Sequence, residues 1–164
     1  MSRSPARAAL AAAFLLAAAP AAVAQTPEPQ TAAPCAPGDA PAGQTRLLVA
    51  VTGARPVAGN ITFTLYGANP QAFLAHHGSI ALTRVTLASP EAEACFALSA
   101  PGTYAVAVYH DANNNHRFDR TLLGLPAEGY GFSNNVVPLI LPSFGAVRIA
   151  VPAGESRIAI RLIY

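Results

Sequence analysis

The chain has 164 residues, ten Arg, no Lys and eight Asp plus Glu, for a formal charge of +2. Arg3 and Arg7 fall in the first ten residues, so the remainder is formally neutral. That balance excludes the basic face of a nucleic-acid binder and the polybasic run that holds an anionic membrane, and the length bounds the chain to one domain.

The N-terminus reads as a targeting segment. Arg3 and Arg7 form a positive region, Ala8 to Ala19 is apolar, and Ala22-Val23-Ala24 fits the small-residue cleavage rule. Residues 1–24 are therefore expected to be a signal peptide, cut between Ala24 and Gln25. The apolar run is too short to span a bilayer, so no transmembrane anchor is assigned. The mature protein is expected to be periplasmic or secreted. Residues 25–44 carry five prolines among Ala, Gly, Thr and Gln and have no apolar period. They read as an extended linker. The domain is then 45–164, long enough to bury one core.

That domain reads as β throughout. Leu47, Val49 and Val51 alternate with Arg46, Leu48 and Ala50. Ile61, Phe63 and Leu65 alternate with Thr62, Thr64 and Tyr66. Period-two patterns of this kind mark strands with one face in the core. Pro70 to His77 is the one candidate for a short helix, with Asn69 as its cap and Phe73 packing it down. Across Ile80 to Leu87 the alternation slips near Thr83-Arg84, which predicts a bulge or a break. Phe96 and Leu98 share one face of the next strand, which turns Cys95 the other way. In an exported chain Cys35 and Cys95 are then expected to pair. Tyr104 to Tyr109 is apolar on both faces and predicts a central strand. Val147, Ile149 and Val151 form another alternating run, and Ile158, Ile160 and Leu162 the last. About seven short strands with almost no helix predict an all-β fold, a two-sheet antiparallel β-sandwich of immunoglobulin or prealbumin type.

Strand Tyr104–Tyr109 runs into Asp111, Asn113, Asn115, Arg117 and Asp119. Oxygen-bearing side chains at every second residue, with a backbone carbonyl from Arg117, are the spacing of a calcium loop. Hard oxygen ligands suit calcium and exclude soft metals. Glu128 would supply a further carboxylate across the loop. The alternative is a metal-free turn in which Asp and Asn side chains bond their own backbone. His110, Asp111 and Glu128 could also serve a hydrolase-like periplasmic enzyme, yet neither they nor Ser133 fall at a catalytic spacing. His76-His77 reads as an exposed loop pair. The glycine-rich stretch Gly124–Asn135 could present Tyr130 and Phe132 to a sugar or peptide, or fold back with them as its own small core. The partner reads as a glycan, a peptide or an envelope protein.

The motif from His110 to Asp119 (HDANNNHRFD) is followed by GLPAEGYGFSNN from Gly124, by Pro142-Ser143-Phe144 and by a C-terminal Tyr after Ile160-Arg161-Leu162. Together these resemble the bacterial family catalogued as domain of unknown function 2141, over about 45–164. His116 stands where the family usually carries Gly, and Gly145-Ala146 where it usually carries acidic residues. The resemblance implies a secreted single-domain β-sandwich and implies no activity. More loosely, Phe96 to Tyr104 is similar to a turn of prealbumin-like and carboxypeptidase-regulatory sandwiches. The combined expectation is an exported, non-enzymatic module whose Asp/Asn loop binds calcium weakly.

Overall fold

The computed structural model describes residues 30–36 and 43–164, so the signal peptide expected at 1–24 lies outside the described residues. The strands are β1 (Ala32–Cys35), β2 (Thr45–Thr52), β3 (Asn60–Tyr66), β4 (Ala81–Thr86), β5 (Glu91–Leu98), β6 (Gly102–Asp111), β7 (Tyr130–Phe132), β8 (Ile149–Val151) and β9 (Glu155–Arg161). One helical turn, α1, covers Phe144–Val147. One sheet has the order β1-β5-β2-β9, the other β4-β3-β6-β7 with β8 added on β6. The sandwich thus has nine strands among the described residues rather than about seven.

Alternation places the core between the sheets. Leu47, Val49 and Val51 of β2 and Ala94, Phe96 and Leu98 of β5 meet Ile61, Phe63 and Leu65 of β3 and Tyr104, Val106 and Val108 of β6. A second, smaller cluster forms on the outside of the β3-β6 sheet. There Tyr66, Ala105 and Phe132 pack with Phe144 and Val147 of α1, and Phe73 lies against them. Strand β6 is therefore covered on both faces, as its sequence implies.

Four expectations are corrected. First, the segment 25–44 read as a linker contributes a strand: Ala32–Cys35 pairs antiparallel with β5, Cys35 opposite Cys95. Its prolines and alanines hide it, because an edge strand needs only one bonded side. The Cys35–Cys95 disulfide itself is present, with a Cα–Cα distance of 4.9 Å. Second, β4 has neither bulge nor break. It pairs continuously with β3 from Ala81 opposite Leu65 to Thr86 opposite Asn60. Ala81, Thr83 and Val85 face inward while Leu82 points out; an apolar residue on the open face of an edge strand mimics a phase slip. Third, β2 and β9 run parallel, although every other pair is antiparallel. A period-two pattern is blind to strand direction. Fourth, the run from Val147 is not one strand. Ser143 caps α1, its Oγ accepting the Ala146 N–H at 3.3 Å, so Val147 ends a helical turn and only Ile149–Val151 is strand.

The short helix expected at Pro70 is a 3₁₀ turn over Pro70–Ala72, and Asn69 caps it by accepting the Gln71 N–H at 3.1 Å. Phe73 then turns into the second cluster, 5.1 Å from Tyr66 between ring centres.

Candidate functional site: the loop and groove on the outer sheet face

Strand β6 delivers His110 and Asp111 to opposite faces of its sheet. Asp111 pairs in register with Asn60 of β3 on the outer face, and the chain then folds back over that face. Asp111 is fully buried and its carboxylate is saturated by donors. Oδ1 accepts the Asn115 N–H at 3.0 Å. Oδ2 accepts the His116 N–H at 3.0 Å and the Asn60 amide at 2.9 Å. Burial opposes ionisation of Asp111, but the Asn60, His116 and Asn115 donors outweigh it and hold its pKa below the usual Asp value. Gly59 makes room for this turn, since a Cβ there would strike the Asp111 carbonyl.

The next residues repeat the device. Asn113 Oδ1 accepts the Asn115 N–H at 3.0 Å, and Asn115 Oδ1 accepts the Arg117 N–H at 2.8 Å. Both amide groups then donate to Asp119 Oδ2, each at 2.8 Å. Glu128 closes the loop from the bend before β7: its Oε2 accepts the Asp119 N–H at 3.0 Å. The loop thus gathers Asp111, Asn113, Asn115, Asp119 and Glu128, with Arg117 in the same run and its side chain exposed. Among the described residues, no three His, Cys, Asp or Glu side chains surround one point as a metal cage would require. Amide and carbonyl oxygens would have to complete any cation shell. His116 occupies the left-handed region at φ 62°, and Asn114 does so at φ 58°. A turn that Gly would make without strain is therefore made here by an L side chain.

Glu128 is the exception to the pattern of satisfied oxygens. It is buried, and its Oε1 has no hydrogen-bond partner. Burial raises its pKa. The Asp119 and Asp111 charges push the same way, against the hydrogen bond from the Asp119 N–H.

The other candidates lie elsewhere. His110 is buried on the inner face, with Nε2 2.8 Å from the Ala58 carbonyl and Nδ1 2.9 Å from the Tyr164 hydroxyl. Its partners, a carbonyl and a hydroxyl, are structural, and Glu128 is not among them. Ser133 is fully buried. It accepts the Val106 N–H at 3.0 Å and donates to the Val147 carbonyl, which ties β6 to α1. His76 and His77 are exposed, with ring centres 3.8 Å apart. Tyr130 and Phe132 are not in a loop: Tyr130–Phe132 is β7, paired with β6, and Phe132 joins the second cluster. The fold-back reading of the glycine-rich stretch thus holds in part, with a strand at its end.

Beyond the loop the chain forms a feature that the sequence reading passed over. Phe118 seats on Tyr109 and Tyr130, with ring centres at 5.6 and 5.9 Å. The segment after it overhangs the outer face. On the other side, residues 139–141 do the same, and a groove lies between. The signal was present: Leu122, Leu123 and Leu125 on one side and the Val-Val-Pro-Leu-Ile-Leu run at 136–141 on the other are apolar without being strands. Most of these side chains are exposed.

A family model described as "Uncharacterized protein conserved in bacteria (DUF2141)" matches residues 49–159. The chain belongs to this family. No curated protein and no solved structure matches. The DUF2141 match runs from within β2 to within β9, and it includes the Asp111–Asp119 loop and Glu128. In this DUF2141 chain, among the described residues, no helix is long and apolar enough to cross a membrane.

Proposed function

We propose that this protein is an exported, non-enzymatic binding module whose Asp111–Asp119 loop, closed by Glu128, takes a calcium ion and so fixes one end of the outer sheet face. The observation that carries the reading is the buried, unpartnered Glu128 Oε1 beside the Asp111 and Asp119 charges. A buried carboxylate oxygen without a donor is destabilising, and a hard divalent cation is the ligand that would relieve this one. The free oxygens, the Glu128 and Asp119 carboxylates with the Asn oxygens and the Arg117 carbonyl, form an all-oxygen set that suits calcium. The Asn113 and Asn115 amides already hold Asp119, so a cation must compete with them. Affinity then falls with that of extracellular modules, about 10⁻⁴–10⁻³ M. The disulfide supports export, since such bonds persist in oxidising compartments.

The test is calorimetric titration of metal-stripped protein with calcium and with magnesium, paired with melting curves. Calcium should bind and raise the melting temperature, magnesium less so. Asp119→Asn and Glu128→Gln, which keep the shape of the side chains, should each weaken the effect. No heat and no melting shift at several times the upper dissociation constant would refute the reading. The mass of the exported chain, beginning at Gln25, tests the location.

A further inference from the structure

The groove on the outer sheet face has a volume of about 640 Å³, within the range of small-molecule sites. Thr64, Ala107 and Tyr109 lie on its floor; the small side chains of Thr64 and Ala107 are what leave it deep. Phe118 and Leu125 stand on one side, Leu139 and Leu141 on the other. The rim is apolar and open to solvent, with Leu139 104% and Ile140 90% exposed. Apolar side chains this bare gain from any occupant that covers them.

Among the lining residues, Arg120 alone is charged. Its guanidinium lies over Phe118, 5.1 Å from the ring centre, and Nη1 donates to the Gly124 carbonyl at 2.9 Å. These contacts orient the exposed head group and leave further N–H donors unused. Among the described residues no carboxylate pairs with it. An uncompensated guanidinium on a largely apolar groove selects an occupant with an apolar body and one anionic head, and such charge-assisted bonds are the strong ones.

We propose that this groove binds a monomeric amphipathic carboxylate of the fatty-acid class, its acyl chain over Ala107 and between the two leucine-lined walls, its carboxylate on Arg120. The inference goes beyond the calcium reading and does not rest on it. A neutral amphiphile leaves Arg120 unpaired, and a cationic one is repelled.

The test titrates the mature chain with decanoate, decanol and decyltrimethylammonium, each below its micelle concentration, in metal-free buffer. Leaving calcium out separates failure of this inference from failure of the calcium site. Decanoate should bind saturably as a single molecule per chain and move the amide resonances of Ala107 and Tyr109. Decanol should bind about tenfold more weakly, the loss expected for a charge-assisted hydrogen bond, and the cation not measurably. Arg120→Gln should bring decanoate to the level of decanol. Ala107→Trp, which fills the groove, should abolish binding of both; if that variant does not fold, Leu125→Asp with Leu139→Asp on the exposed rim should do the same. Equal affinity for decanoate and decanol, or no decanoate binding, would overturn the proposal. So would adsorption to anionic vesicles without binding of the monomer, or a dimer in sedimentation equilibrium that occludes the groove.

Discussion

Tyr164 closes the chain on His110. Its hydroxyl lies 2.9 Å from His110 Nδ1 and accepts the Arg55 N–H at 2.8 Å. The Ala58 carbonyl can only accept, so His110 Nε2 carries the proton toward it. In the neutral ring Nδ1 is then the acceptor, and Tyr164 donates to it. Three segments distant in sequence are joined through one phenol. Gly129 permits this, because a Cβ there would come within 2.5 Å of the Tyr164 ring.

Tyr164→Phe removes both hydrogen bonds and leaves a buried imidazole nitrogen without a partner. We expect a loss of about 1–3 kcal/mol, read as a lower urea midpoint at unchanged slope. Gly129→Ala should do similar damage by displacing the ring. If both variants match the parent, the tyrosine is an ornament of the surface.

Glu128 gives a pH dependence of opposite sign to that of an ordinary paired acid. Burial and the neighbouring Asp119 and Asp111 charges raise its folded pKa above its unfolded value. The folded state then holds the proton more tightly, so stability falls as pH rises from the usual Glu range through the raised value and levels off above it. Asp111, with its lowered pKa, acts the other way: its contribution is present above the usual Asp value and is lost as pH falls through the folded one. Glu128→Gln should therefore stabilise the metal-free protein near neutrality by about 1 kcal/mol and flatten the fall on the upper side. Melting curves across acid to neutral pH would check it; a destabilised Gln variant would contradict the reading.

His116→Gly should relieve backbone strain. At φ 62° an L side chain costs about 1 kcal/mol, part of it offset by the greater unfolded-state entropy of Gly. We expect a gain in stability below that figure, and tighter calcium binding because the turn closes more freely. Tighter binding without a stability gain would place the effect in the loss of the imidazole and not in the backbone.

Reduction of Cys35–Cys95, which closes a separation of 60 residues, should lower stability by about 2–4 kcal/mol. Before reduction, thiol titration should count no free cysteine. Two free thiols in the native oxidised protein would contradict the pairing.

Much of this was legible because alternation reports burial directly. The core of β2, β3, β6 and β9 is the set of residues that period two selects, and Cys95 faced away from Phe96 as that period requires. The pattern fails where a residue's environment is set by a neighbour distant in sequence. Leu82 is exposed because β4 is an edge. Ala32–Cys35 is a strand because β5 offers it a bonded side. Val147 leaves the strand because Ser143 caps a turn. The Asp/Asn loop was readable as a cluster, and Glu128 meets it through the Asp119 N–H. Asn60 was not foreseen: it is a strand-opening polar residue whose role exists only because register sets it beside Asp111. The groove escaped for a related reason. Its leucines lie in two loops 14 residues or more apart, at Leu125 and Leu139, and only the fold makes them opposing walls.

The covalent link between β1 and β5 also has a mechanical meaning. A pull applied through the residues before Ala32 would meet a short edge strand, which by itself would unzip one hydrogen bond at a time. Cys35, at the far end of β1, halts that peeling and passes the load to Cys95, inside β5, with β2 bonded along its other side. Traction from the N-terminal side is thereby carried past the edge strand into β5, which is bonded to β2.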